Sequence, residues 1–376
     1  MKRRCAVLAL AALMLPLSGC KETFDFLPYG RELEDMALMR TMGVDAAEEG
    51  VTVTTSSGAQ DQGGGQGAGK PTVLKQTGGS ISAACLSMQA QGASYVFYGH
   101  VGQFLLGEDL ARQGVDGALD YVLRDIEMRL ETNLYLIRGG QAGAAIEAAA
   151  QVNSATDQLE SLEADAGLLA DSMFRTVEDV MEDLEENGDS FAPALTLDQE
   201  SGQLEPAGYG LLRQGALVGW AEDEAARGVN LLMGWVDADV LEVETPSVGR
   251  AALRVVGAET KVRPVFEGDT LTGLELQCQV DANLAEGGDG AHLEDPVLLG
   301  ELETALAQRS HLRLEEAVDL CRTLDGDFFQ LETRAGLSVP WRWDDIRAGW
   351  DLSALDVTVQ VEANIQRGYN VRDGGD

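Results

Sequence analysis

One thiol stands where its neighbours dictate its chemistry. Leu17-Ser18-Gly19-Cys20 matches the lipobox, in which small residues before a cysteine admit a processing peptidase and the thiol receives a diacylglyceryl group. Residues 1–19 read as the rest of a lipoprotein signal peptide. Lys2, Arg3 and Arg4 form a basic start, and the apolar run over 5–17 is too short for an ordinary membrane span. Cleavage would make Cys20 the mature N-terminus and the lipid-attachment site, carrying diacylglyceryl and fatty acyl chains such as palmitate. With burial worth ~0.8 kcal/mol per CH₂, two chains anchor stably where one binds only marginally.

The other groups that could do chemistry do not converge. Residues 64–71, GGQGAGKP, satisfy G-x-x-x-x-G-K, but Pro71 occupies the place where a phosphate loop needs a Ser or Thr hydroxyl for magnesium, and no helix opens there. His100, His292 and His311 are too scattered for a metal cluster, and no H-E-x-x-H, G-x-S-x-G or C-x-x-C occurs. Asp344-Asp345 and Glu185-Glu186 are adjacent carboxylates, which point apart on a helix and so read as solvated surface. Trp341, Trp343 and Trp350 could stack on a ligand or lie at a lipid interface, but packing over the open edge of the C-terminal sheet is the simpler expectation. Cys85, Cys278 and Cys321 lie on apolar faces and read as buried free thiols. No catalytic, cofactor-binding or metal site is expected.

The chain has 376 residues with 63 acidic and 27 basic side chains, a net charge of −36. Affinity for nucleic acid or anionic lipid depends on Lys and Arg releasing counterions, so neither is an expected partner beyond the anchor itself. Hydrophobic residues still make up 45%, enough for a buried core.

The elements that must position these residues follow from periodicity. A helix is predicted over 31–40, a strand over 51–55 and a flexible Gly-rich loop over 56–70. Ile81, Ala84, Cys85 and Met88 keep helical spacing, and 95–98 and 101–106 read as strands. A second helix would carry Leu119, Val122, Leu123, Ile126 and Leu130, before a strand over 134–137. Residues 154–205 hold fifteen acids and one base, Arg175, yet Leu159 to Leu184 recur on one face of an acidic amphipathic helix ended by Asn187-Gly188-Asp189. The stretch from there to Pro206 reads as a domain connection, and 209–220 as a hairpin followed by a short helix over 222–232. From Val240 onward come strands, a long helix over 294–324, and a last strand in which Val357, Val359, Val361, Ala363 and Ile365 alternate with polar residues. The expectation is a multi-domain mixed α/β chain of the α+β class, with a C-terminal, largely antiparallel sheet covered by a long helix. Its divisions are 1–19 signal peptide, 20–30 lipid anchor and linker, 31–198 N-terminal α/β domain, 199–238 small middle region and 239–376 C-terminal α+β domain.

Several segments, in order, resemble the Ger(x)C lipoproteins of spore-forming bacteria, the C subunits of nutrient germinant receptors. They are Gly30-Arg31-Glu32-Leu33-Glu34-Asp35-Met36-Ala37, Met42-Gly43-Val44-Asp45, Gly99-His100 and Leu106-Gly107-Glu108-Asp109-Leu110-Ala111. Leu123-Arg124-Asp125-Ile126-Glu127, Pro193, the 210–219 hairpin and Gly228-Val229-Asn230-Leu231-Leu232-Met233-Gly234 continue the similarity. Gly326-Asp327-Phe328-Phe329, Trp341, Trp350 and Arg367-Gly368 complete it. Lys21 departs from the pattern, which has Trp after the anchor. The resemblance implies a non-enzymatic subunit, held by Cys20 on the extracytoplasmic face of the spore's inner membrane. Its implied partners are a germinant-sensing A subunit and a transporter-like B subunit. The competing expectations are an extracytoplasmic solute-binding lipoprotein of a transporter, which needs two similar lobes around a cleft, and an extracytoplasmic hydrolase, which needs a nucleophile or metal in a polar pocket.

Overall fold

The computed structural model describes residues 36–61, 68–91, 94–169, 173–236, 239–287 and 293–368. The first strands are β1 (Met36–Leu38), β2 (Thr41–Ala46), β3 (Val51–Ser56), β4 (Gln60–Asp61), β5 (Ala68–Gly69) and β6 (Val73–Gly78). Helix α1 (Ile81–Gln89) precedes β7 (Tyr95–Phe97) and β8 (Gln103–Gly107). Next come α2 (Glu108–Gln113), α3 (Asp116–Arg124), β9 (Asn133–Ile137), α4 (Ala142–Val152), α5 (Ala155–Leu169) and α6 (Val177–Asn187). Strands β10 (Asp189–Leu197), β11 (Leu204–Arg213) and β12 (Ala216–Ala221) complete an eight-stranded sheet of order β12-β11-β10-β9-β8-β2-β3-β6.

In this sheet β2, β8, β9 and β10 run parallel, and both flanks are antiparallel. Parallel strands must be covered on both faces, and the side chains alternate accordingly. Phe104, Leu106, Leu134 and Leu136 meet a cluster that includes Ile81, Leu119 and Val180. Leu105, Tyr135 and Ile137 face the alanine-rich α4.

The second layer begins with α7 (Asp223–Met233) and continues through β13 (Val240–Thr245), β14 (Gly249–Glu267) and β15 (Thr270–Glu286). The long α8 (Pro296–Thr323), α9 (Leu331–Ser338) and α10 (Trp343–Gly349) lead to β16 (Asp356–Gly368). The sheet β13-β14-β15-β16 is antiparallel except for its last pair, and α8 covers one face through Leu302, Leu306, Leu314 and Val318. The mixed α/β architecture, with a helix over a largely antiparallel C-terminal sheet, matches the sequence expectation. Within 199–238, the β11–β12 hairpin extends the first sheet, while α7 packs on α8 and β14.

Four local expectations change. The helix expected over 31–40 is, where described, the strand β1, which pairs parallel with β7; the apolar spacing over so short a window fits either element. The helix carrying Leu123, Ile126 and Leu130 ends at Arg124, leaving Leu123 half exposed and Ile126 80% exposed, because Glu127 turns away to accept from the Tyr98 N–H and the Tyr95 hydroxyl. The acidic helix is two helices. Thr176 opens α6 with a capping box to Asp179, and Gly188 closes it at φ +86°. The expected connection up to Pro206 is instead β10 and the start of β11, and Pro193 is tolerated within β10 at a break in register. Of the Gly-rich loop, 62–67 lies outside the described residues, and its ends pair as β4 and β5.

Candidate functional site

Open α/β sheets bind ligands at the carboxyl ends of their parallel strands. Here those ends are satisfied from within the chain. Asp45, at the end of β2, accepts from Ala142 N at 2.7 Å and Gly143 N at 2.8 Å, occupying the N-terminus of α4 as a bound anion would. Burial raises its pKa while these two N–H groups pull it down. Glu108, after β8, accepts from Gly139 N at 2.6 Å and from Arg112 at 2.8 Å. Arg138, after β9, pairs with Glu222 and lies 6.0 Å from the Trp220 ring centre.

A second concentration of charge ties α7 to α8 within the second layer. Arg313 of α8, 2% exposed, donates to Glu224 at 2.7 Å and also to Asp239, which Arg227 reaches at 3.1 Å. Glu224 further pairs with Arg309 at 3.2 Å; burial alone would raise its pKa, but Arg313, Arg309 and Arg227 together hold it below the usual carboxylate value. Helix α7 approaches α8 closely enough for this because residue 228 is glycine: a Cβ there would clash with the Arg313 carbonyl oxygen.

Nearby, Asp327 accepts from Leu331 N at 2.7 Å and Glu332 N at 2.8 Å, and its own N–H donates to Asp189 at 2.8 Å. Asn187 donates to Gln330 at 2.9 Å across the same junction. Beneath these contacts, Phe191 packs edge-on against Tyr209 and Phe329, each 5.3 Å away centre to centre, with the Arg175 guanidinium 4.3 Å from the Phe191 ring centre. The ground between the layers is thus shared core. A cavity of about 360 Å³ at its rim is lined by Asp189, Asp325, Asp327, Arg322 and Trp350. A groove of about 450 Å³ between α1 and α3 is lined by Ile81, Leu110, Ala118 and Tyr121. What these arrangements do chemically is hold elements together.

Cys20 and His292 lie outside the described residues, as do 64–67 of the Gly-rich string. His100 is exposed, edge-on to Phe97 at 5.8 Å, and His311 pairs with Glu315 along α8 at 3.2 Å. Among the described residues, no group of three or more His, Cys, Asp or Glu side chains gathers as a metal site. Cys85, Cys278 and Cys321 are buried and free, and burial pushes each thiol's pKa up. Trp350 packs against the C-terminal core, Trp343 lies against α9 at Gly336, and Trp341 is 80% exposed. Asp345 pairs with Arg342, while Asp344, Glu185 and Glu186 face solvent. Sequence reasoning missed Asp45, Arg313 and Asp327. Its one available signal was Arg313, a charge set within the apolar stripe of a long helix.

Residues 30–197 match the family described as "Spore germination protein N-terminal domain", and 207–369 match "Spore germination B3/ GerAC like, C-terminal". The chain is 24% identical over 263 residues to spore germination protein B3 of Bacillus subtilis (strain 168), covering 68% of each chain. It also shares the fold of the GerBC protein, whose crystal structure superposes with a TM-score of 0.58 at 16% identity, over 87% of this chain and 97% of the other.

Proposed function

The chain belongs to the spore germination B3/GerAC-like family, and on that premise we propose that it is the lipid-anchored, non-enzymatic C subunit of a nutrient germinant receptor. The observation that carries this reading is the pair of family matches, in family order, covering 30–197 and 207–369. The lipobox at Cys20 supplies the anchor, and the chain's role is assembly with the A and B membrane subunits on the extracytoplasmic face of the spore's inner membrane. The internally paired charges at the strand ends support a scaffold rather than a catalyst. Among the described residues no helix is long and apolar enough to cross a membrane, which fits attachment through a lipid. The proposed organisation remains anchor and linker 20–30, N-terminal domain 31–198, middle region 199–238 shared between the layers, and C-terminal domain 239–376.

Deleting the gene, or substituting Cys20→Ala, is expected to abolish or slow the response of spores to at least one nutrient, read as loss of refractility and release of dipicolinic acid. Unchanged germination of both mutants on every nutrient tested overturns the assignment.

A further inference from the structure

Strand β16 runs for 13 residues along the margin of the C-terminal sheet and, among the described residues, pairs with β15 alone. Its other side carries a row of backbone donors and acceptors. One of these, the Ile365 N–H, is taken by the Glu303 carboxylate of α8 at 3.2 Å. Backbone direction alternates along a strand, so the amides on that same side are those of Val357, Val359, Val361 and Ala363. Their side chains face the core yet stay only partly buried, whereas the β15 partners of Val359 and Val361, Leu276 and Cys278, are 0% and 3% exposed. A further strand would cover both the backbone row and this apolar margin.

Sheet edges are commonly blocked by lysine, proline, bulges or a covering element. Residues 356–366 contain neither Lys nor Pro, and the break in register lies beyond Ala282, past most of the strand. β16 as a whole holds two acids, Asp356 and Glu362, against one base, Arg367, with Glu303 beside it and with Lys261 and Arg263 across the sheet face from Gln360 and Glu362. Two copies of a chain of charge −36 repel one another, so the edge is matched to a partner of opposite sign.

We propose that β16 is a docking edge that accepts an extended segment of a basic partner protein as a fifth strand. Apolar residues of that segment alternate over 357–363, with Lys or Arg at the intervening positions. The inference is independent of the receptor assignment, because it rests on the strand edge alone.

The test uses the full chain in detergent micelles and a nonapeptide of alternating valine and lysine, with a control peptide N-methylated at alternate amides. Binding is followed by fluorescence anisotropy and by hydrogen exchange at 357–363. The peptide is expected to slow exchange there by about tenfold or more, and N-methylation and Val361→Pro are each expected to weaken binding by about tenfold or more. Equal binding of the N-methylated peptide would reduce the effect to charge attraction and overturn the proposal. Absence of binding, absence of protection on β16, or a chain that dimerises through β16 unaided would do the same. The N-methylated arm leaves the protein unaltered, so it decides the matter even where Val361→Pro fails to fold.

Discussion

Arg313 reaches Glu224 and Asp239 from inside the apolar stripe of α8; without the guanidinium Glu224 keeps Arg309 and some solvent, but the buried Asp239 is left with Arg227 alone. Breaking a buried pair from one side typically costs 3–5 kcal/mol, so Arg313→Met is expected to lower unfolding stability by about that amount, measured by urea denaturation. Asp327 makes a different prediction. Burial pushes it up to about 7; the N–H groups of Glu332 and Leu331 pull the other way, and the negative charges of Glu332 and Asp189 add to the rise. Its folded value lies above the ordinary 3.8, so its contribution is fully present below that pH and is lost as pH rises through about 7. Burial raises Asp189 in the same direction. Asp327→Asn should therefore flatten the decline in urea midpoint between about pH 4 and 7; an unchanged slope would refute this. Little of it was legible beforehand. Asp327 stood in a family-like string, but Asp189 lies 138 residues away in sequence, and no periodicity joins them.

Helix positions are legible in the sequence where a full apolar stripe meets a core. Helix α8 is expected over 294–324 and runs Pro296–Thr323, because apolar residues from Leu302 to Cys321 recur at helical spacing on one face. The errors fall where a short element is held by distant partners. Helix α3 stops because Glu127 is needed by β7 and the residue after it, and β10 was hidden because its Phe191, Ala192 and Ala194 resemble a connection until β9 and β11 flank them. The contact of α7 with α8 depends on one missing side chain. Gly228→Ala must push the helices apart or shift the Arg313 backbone, costing about 1–3 kcal/mol, visible as a lowered Tm. A variant as stable as the parent would show that the helices yield freely.

For the whole molecule, charge decides how it stands relative to a membrane. In the proposed anchored form, cleavage removes Lys2, Arg3 and Arg4 and leaves 63 acids against 24 bases, so anionic headgroups would repel the chain and only the linker 21–30 would need to approach them. The chain from residue 21 onward, without the signal peptide and Cys20, is expected to show no affinity for anionic vesicles at low salt, assayed by co-sedimentation; salt-sensitive binding would contradict this. The fold class and the acidity were plain in the sequence. The relation between the two layers was not, since it rests on Phe191, Tyr209 and Phe329, which come from three separate segments.

The family matches break between residues 197 and 207, whereas β10 and β11 on either side of that break are neighbours in one hydrogen-bonded ladder. The second segment therefore lends two strands to the sheet built by the first. For heredity the consequence is direct: a gene rearrangement that parted the segments would leave one with an unfinished sheet and the other with a homeless hairpin.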